Sequence, residues 1–400
     1  MELTYSESEN RLAAELRAWL AGALPRLGDP PEPDDWAARR RFDATWQRMQ
    51  FDAGYAGIAW PRAYGGRQAS PSEQLVYLEE LHRAGAPYIG CNFVGQLHAG
   101  PTLIAEGTEA QKQRFLPAIL RGEHVWCQGF SEPEAGSDLA SLRTRAERDG
   151  DEYVVNGQKV WSTFAHVADY GELLVRTDPD GPKHKGITWL IVPMDSPGIT
   201  VRPLRTLAGP SEFCEVFYDD VRVPVANRVG AENDGWRVAM VTLMFERGTA
   251  FVGEILEARH LLSRLVEIAR AVPRAGASAW DDIGVRRRVG ELLAELDALW
   301  SLTVWNVSEA SRDGIPGPGG SVLKLRLCEV FQDLAIVAME LLGRARLAHG
   351  DVAPLGSGLV ISEYYRSRGL TIGGGTSQIQ RNIVAERVLG LPKEPPWTSN

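Results

Sequence analysis

Cysteine is scarce in this chain, with Cys91, Cys127, Cys214 and Cys328 the only four among 400 residues. Their spacing fits neither a metal-ligand motif nor a disulfide framework, so buried free thiols are expected. Long apolar runs are missing too. No stretch approaches the ~20 residues of a membrane span, and the start MELTYSESEN lacks the basic residues and apolar core of a signal peptide, which predicts a cytoplasmic protein. No run of Lys or Arg is long enough to follow a phosphate backbone. The formal charge of -9 is spread over interspersed acids and bases, and this argues against nucleic acid as a partner. His98, His124 and His166 share no spacing that suggests a metal, and none is assigned. There is no internal repeat and no Gly-x-Gly-x-x-Gly opening a strand, turn and helix, so any nucleotide cofactor is not held in the Rossmann manner.

What is present is an ordinary globular balance, 44% hydrophobic and 24% charged, over a length that calls for two or three domains. To about residue 120 the apolar spacing is helical, as in Phe42, Trp46 and Met49, or Leu75, Leu78 and Leu81. Thr108 with Gln111 forms a capping box for a helix through about Leu120, and WPRAYGG at 60–66 is a turn. From about Cys127 to Val223 the texture becomes short β-rich runs, with Asn156-Gly157 read as a hairpin turn. After Asn233 long amphipathic helices return, at about 234 to 271, 281 to 312, 321 to 349 and 376 to 389, with GIPGPGG at 314–320 and the tail from Pro392 as loop or terminus. The resulting expectation is an α+β multidomain chain with boundaries at 1–125, 126–232 and 233–400. The order α, β, α does not suit a doubly wound parallel sheet.

Three segments carry chemistry. In Gly129-Phe130-Ser131-Glu132-Pro133-Glu134-Ala135-Gly136-Ser137-Asp138, small and hydroxyl residues would let backbone N–H groups approach a phosphate or ring oxygen closely, although a surface turn has the same composition. In NGQKVWSTF at 156–164, Trp161 and Thr163 lie two apart and share one side of a strand, offering an indole plane and a hydroxyl to a flat heteroaromatic ring; a lone Trp would read as core. TIGGGTSQIQRNIVAERVLGLP at 371–392 sets three glycines before a Thr376 N-cap and a helix, where free N–H groups can meet an anion or a carbonyl.

Together with WPRAYGG, GTEAQKQRFLP at 107–117 and DVRVPVANRVGAENDGW at 220–236, these segments resemble the acyl-CoA dehydrogenase family over nearly the whole chain. The resemblance implies an N-terminal helical domain, a middle antiparallel β-barrel-like domain and a C-terminal four-helix bundle. FAD is the implied cofactor. Phe130, Ser131, Trp161 and Thr163 would line its ring, Gly136 and Ser137 its pyrophosphate, and Thr376 and Gln378 would approach from the C-terminal side. The implied partners are an acyl-CoA or acyl-carrier thioester and a separate electron-transfer flavoprotein. The implied assembly is a homo-oligomer, dimer or tetramer, or a hetero-tetramer of unlike subunits.

The family reaction takes the proton α to the thioester while hydride leaves the β carbon for flavin N5, so a carboxylate is needed. Many members carry it immediately before the Gly-Thr of the last motif, where this chain has Gly374. Other members carry it in a Glu-Arg pair on the first helix after the β domain, and Glu246-Arg247 matches that position. Glu246 is therefore the expected base, with a pKa raised by desolvation, and Arg247 would orient it. The other reading of Glu246 is a helix carboxylate paired to a nearby Arg. The Gly374 N–H would still serve the thioester carbonyl. The chain departs from the family at RAVPRAGASAWDDIGVRRR, which lacks the usual Phe-Gly, and at Glu340 and Gly343-Arg344 in place of a Gln before Gly-Gly. Arg344 would offer its cation to an FAD phosphate. A non-catalytic or partly catalytic subunit and a flavin oxidase are the alternatives.

Overall fold

The computed structural model describes residues 5–246, 250–274, 276–313, 319–347 and 357–393. These fall into two compact units divided after Glu246, and each is described by itself.

The first unit opens with helices α1 (Glu7–Leu27), α2 (Trp36–Asp52), α3 (Pro71–Arg83), α4 (Gly100–Glu106) and α5 (Glu109–Leu120). Local chemistry sets their starts. Ser6, Ser70 and Thr108 each accept the N3 backbone N–H and receive a Glu or Gln side chain in return, and the box expected at Thr108 is present. Leu81 of α3 and Trp46 of α2 are buried in a cluster with Leu16 and Leu20 of α1, and Leu75 of α3 is buried as well. A π-helical turn over Gly95–Ala99 runs directly into α4.

An eight-stranded sheet follows, made of β1 (Trp126–Gly129), β2 (Arg145–Asp149), β3 (Glu152–Thr163), β4 (Tyr170–Arg176), β5 (Ile187–Pro193), β6 (Ile199–Leu204), β7 (Phe213–Pro224) and β8 (Arg228–Val229). The order is β6-β7-β3-β2-β4-β5-β8, with β1 beside β4. Most pairs are antiparallel; β1 and β2 each pair with β4 in parallel. The buried positions of β4 and β5, Leu173, Leu174, Val175, Leu190, Ile191 and Val192, are completely enclosed. Such continuous apolar runs mark strands covered on both faces.

Asn156-Gly157 is not a hairpin turn. The β2–β3 connection is Gly150-Asp151, and Asn156-Gly157 lies inside β3 at a break in its register with β7. Glycine is required there for a close approach: a Cβ on Gly157, at φ +154°, would sit 2.5 Å from Thr144 Oγ1. Asn156 instead bridges across the bulge, donating to Asp220 Oδ1 at 2.9 Å and accepting the Asp220 N–H at 3.0 Å.

The first unit closes with α6 (Gly235–Glu246). Val238 and Ala239 pack into the core that Trp126, Phe130 and Trp189 share with α4 and α5. The Thr242 hydroxyl meets that of Thr102 at 2.8 Å, and Arg237 forms a two-point ion pair with Glu106.

The second unit comprises α7 (Ala250–Ala271), α8 (Ile283–Asp313), α9 (Gly319–Leu342), α10 (Ser357–Leu370) and α11 (Ser377–Ile383), the last continuing as a π turn over Val384–Val388. α7 through α10 pack around one apolar core that includes Ile255, Leu265, Leu296, Leu327, Phe331 and Val360. Three expectations need correction. The segment called loop by composition is helical at its end, since Gly319 and Gly320 open α9; a Cβ on Gly319 would meet Asn306 Oδ1 of α8 at 2.2 Å. α9 stops at Leu342 rather than 349, because Gly343 turns to φ +52°. α10 was not expected at all: SGLVISEYYRSRGL has no clean 3.6-residue alternation of apolar and polar residues. All four cysteines are buried and free, as expected.

Candidate active site

In the first unit, β1 leads into the Gly129–Asp138 loop. Phe130 is buried at 3% exposure and Ser131 is half-buried, while Gly136, Ser137 and Asp138 are exposed. The chain doubles back tightly here, with Glu132 and Ala135 exchanging two backbone hydrogen bonds of 3.1 Å. Asp138 pins the loop's far end by accepting from Lys183 at 2.6 Å and from the Ser141 hydroxyl at 2.6 Å. A Cβ built on Gly136 would meet nothing within 4 Å, so the space beside that backbone is open.

A buried charge pair supports the loop from behind. Lys159 of β3 is wholly enclosed, and its ammonium donates to the Phe130 carbonyl at 3.0 Å and to Glu132 Oε1 at 2.8 Å. Glu132 also accepts the N–H groups of Arg143 at 2.7 Å and Thr144 at 2.8 Å. Burial pushes Lys159 down to about 8 against the opposing pull of Glu132. Burial alone would raise Glu132, but Lys159 and the Thr144 and Arg143 donors outweigh it and hold the carboxyl below its ordinary value. One more bond, from the Val160 N–H to the Ser131 carbonyl at 2.9 Å, ties loop to strand.

Beside this loop, β3 carries a second bulge between Lys159 and Ser162. Trp161 occupies it at φ +63°, a conformation that costs a bulky side chain of order 1 kcal/mol, and remains 59% exposed. The indole packs edge-on against Phe213 with centroids 5.8 Å apart. Ser162 is buried and Thr163 half-buried. An exposed aromatic plane held in strained backbone, on a strand tied to a loop that carries an open glycine, fits a flat cofactor ring with a polar or phosphate tail better than it fits a core role.

Glu246 ends α6, one turn beyond the Thr102–Thr242 contact. Its side chain and Arg247 lie outside the described residues.

In the second unit, Gly374 and Gly375 take φ +61° and +89°, and Gly374 is exposed. Thr376 caps α11 as expected, its hydroxyl accepting the Ile379 N–H at 3.2 Å. Gln378 is exposed, and so is Arg344, in the short 3₁₀ segment Gly343–Leu347. Glu340 pairs with Arg288. Sequence reasoning missed Lys159, Glu132 and two further groups here. The buried Lys324 ammonium donates to the Gly375 carbonyl at 2.6 Å, and Glu254 has a buried Oε2 without a hydrogen-bond partner among the described residues. Burial pushes Glu254 up to about 7, its own backbone and Arg366 opposing only in part. The available signal was a charged residue on an otherwise inward phase, Lys159 in step with Tyr153 and Val155, and Lys324 four residues before Cys328.

Family models for the acyl-CoA dehydrogenase N-terminal, middle and C-terminal domains match residues 6–123, 127–221 and 233–389. The chain belongs to the acyl-CoA dehydrogenase family. It is 41% identical to acyl-CoA dehydrogenase IpdE1 of Mycobacterium tuberculosis over 95% of this chain and 97% of that one. Among solved structures it resembles the ChsE4-ChsE5 complex from Mycobacterium tuberculosis, at a TM-score of 0.84 and 35% identity over 98% of this chain and 100% of that chain. It also resembles the Tcur3481-Tcur3483 steroid ACAD, at 0.82 and 34% over 98% and 100%. This acyl-CoA dehydrogenase is thus an oxidoreductase of a flavoprotein family with the three-part fold expected from its motifs. Among the described residues, no helix is long and apolar enough to cross a membrane.

Proposed function

We propose that this enzyme removes the α proton and the β hydride of an acyl-CoA or related acyl thioester, giving the 2-enoyl thioester, with Glu246 as the base. Two observations support the reading, a glycine at 374 where many members carry the base and a glutamate at the end of an anchored helix. Position 374 offers a backbone N–H and no side chain, whereas Glu246 closes a helix fixed one turn earlier by Thr242 and, further back, by Arg237. Glu246 takes the proton, Arg247 orients its carboxylate, and the Gly374 N–H donates to the thioester oxygen as negative charge grows there. FAD, when bound, supplies the acceptor for the hydride. Phe130, Ser131, Trp161 and Thr163 would hold its ring, Gly136 and Ser137 its pyrophosphate, and Arg344, Thr376 and Gln378 its remaining contacts from the second unit. Electrons then pass to a separate electron-transfer flavoprotein.

A second reading has a specific support: one structural relative is a complex of unlike chains, ChsE4 and ChsE5. On that reading this chain works in a hetero-tetramer, where a partner supplies what the missing Phe-Gly segment leaves out; otherwise it forms a homo-oligomer. The steroid ACAD likeness directs the substrate search toward polycyclic, sterol-derived acyl thioesters. The test is the visible spectrum of the chain expressed alone, before and after anaerobic addition of straight, branched and sterol-derived acyl-CoA thioesters. Bleaching of a flavin band by one thioester supports the reading, and its loss in Glu246→Gln with flavin still bound assigns the base. Bleaching that persists in Glu246→Gln would sink that assignment. A colourless chain that gains flavin only with an added partner favours the hetero-oligomer.

A further inference from the structure

Lysine is used sparingly in this chain. Of 43 Lys and Arg residues only Lys112, Lys159, Lys183, Lys185, Lys324 and Lys393 are lysines. Two of these six are buried, and each donates to a backbone carbonyl of a loop already described: Lys159 to Phe130, and Lys324 to Gly375. Lys324 is 3% exposed and sits on α9 among Leu323, Leu327 and Phe331. A buried ammonium is costly there, and an apolar side chain of the same length would pack α9 more favourably. Against that cost stands, among its interactions, a charge-assisted hydrogen bond of 2.6 Å to the Gly375 carbonyl.

Lys324 is not alone in its direction. Positions 324, 328 and 332 form one stripe on α9, four residues apart, and all three donate toward the chain between Ser367 and Gly375. Cys328 Sγ reaches the Leu370 carbonyl at 3.0 Å, and Gln332 Nε2 reaches the Ser367 carbonyl at 3.3 Å and Thr371 Oγ1 at 3.4 Å. From the other side, Gln380 Nε2 donates to the Gly374 carbonyl at 2.9 Å. The two left-handed glycines thus have both carbonyls held, one by a charge and one by an amide. A Cβ on Gly375 would lie 2.7 Å from Gln380 Nε2, so the clamp also demands glycine.

We propose that Lys324 is a positioning residue of this enzyme: by holding the Gly375 carbonyl from α9 it fixes the Gly373–Gly375 loop, so that the backbone N–H groups offered there keep their geometry although Lys324 touches neither thioester nor cofactor. This rests on the reading that the loop serves thioester and FAD. Lysine, a compact point charge with three rotatable donors, suits a lone backbone oxygen as one of its acceptors, whereas the wide planar fork of arginine is built for two-point acceptors.

The test compares Lys324→Met, Lys324→Gln and Lys324→Arg with wild type in four measurements: thermal midpoint, amide hydrogen exchange, FAD affinity of stripped protein, and thioester kinetics. Exchange in peptides covering 371–380 is expected to rise about tenfold or more in Lys324→Met while α8 stays protected, with FAD affinity falling and kcat dropping more than KM rises. Lys324→Gln, which keeps a donor, should recover part of this, and Lys324→Arg should not. Exchange rising equally across α7 to α10 would show a packing role only and overturn the proposal, as would an unchanged loop. If Lys324→Met does not fold, Lys324→Gln and Gln380→Leu carry the same comparison. Should wild type be bleached by no thioester, the kinetic reading fails with the proposed function, while exchange and FAD affinity still decide the loop.

Discussion

Replacing Lys159 by Met removes one half of a buried pair and keeps the length of the stem. Glu132 would then be a carboxylate at 9% exposure with only the Arg143 and Thr144 N–H groups to satisfy it. Removing one partner of a buried ion pair costs about 3–5 kcal/mol. Because two backbone donors remain on Glu132, the lower end applies, about 3 kcal/mol, or roughly 6–12 °C in melting midpoint for a unit of this size. Part of the loss is local, since the Phe130 carbonyl also loses its donor, so FAD retention should fall as well. The assay is a melting curve of FAD-free and FAD-loaded protein for Lys159→Met, Glu132→Gln and the double variant. The pair should be coupled, with the double variant losing clearly less than the sum of the singles. The pH dependence gives a second check. Below about pH 8 Lys159 is protonated in both states; above it the folded chain has lost a proton that the unfolded chain keeps until about 10.5. This group's contribution to stability therefore rises with pH between about 8 and 10.5, by about 3 kcal/mol at most, and that rise should be absent in Lys159→Met. A loss below about 1 kcal/mol together with additive singles would refute the reasoning.

Glu254 should show the opposite slope. Its carboxyl, pushed up to about 7 from 4.5, keeps a proton in the folded state that the unfolded chain has released, so stability falls as pH rises between those values. Glu254→Gln should raise the melting midpoint at pH 8 and leave it nearly unchanged at pH 4. Thr242→Val strands the Thr102 hydroxyl, which is fully buried, and should cost about 1–3 kcal/mol in a urea titration, while Thr102→Val/Thr242→Val costs less than the two singles summed. Trp161→Gly relieves the φ +63° strain at a site 59% exposed, so global stability should change by less than about 1 kcal/mol while FAD affinity, followed by fluorescence, drops.

The order of elements was readable because helix and strand periodicities are strong here, and the capping residues Thr108 and Thr376 were correctly located because a cap is a local hydrogen bond. Asn156-Gly157 was misread because its dipeptide is equally at home in a bulge; the deciding partner, Asp220, lies 64 residues away. α10 escaped because part of it is polar on several sides, and only packing on α9 shows it to be a helix. The residues proposed to face the cofactor stand in recognisable motifs, whereas the residues behind them do not. Lys159 and Lys324 act on carbonyls of residues 29 and 51 positions away, a relation that no local pattern encodes.

The scarcity of lysine has a practical chemical consequence. Amine-directed reagents meet exposed lysines at 183, 185 and 393 of the described residues, while Lys159 and Lys324 are shielded. Reductive methylation of the native enzyme should therefore leave the last two unmodified, and the moment at which either becomes labelled on gentle heating would time the release of its loop, residue by residue, without any substitution.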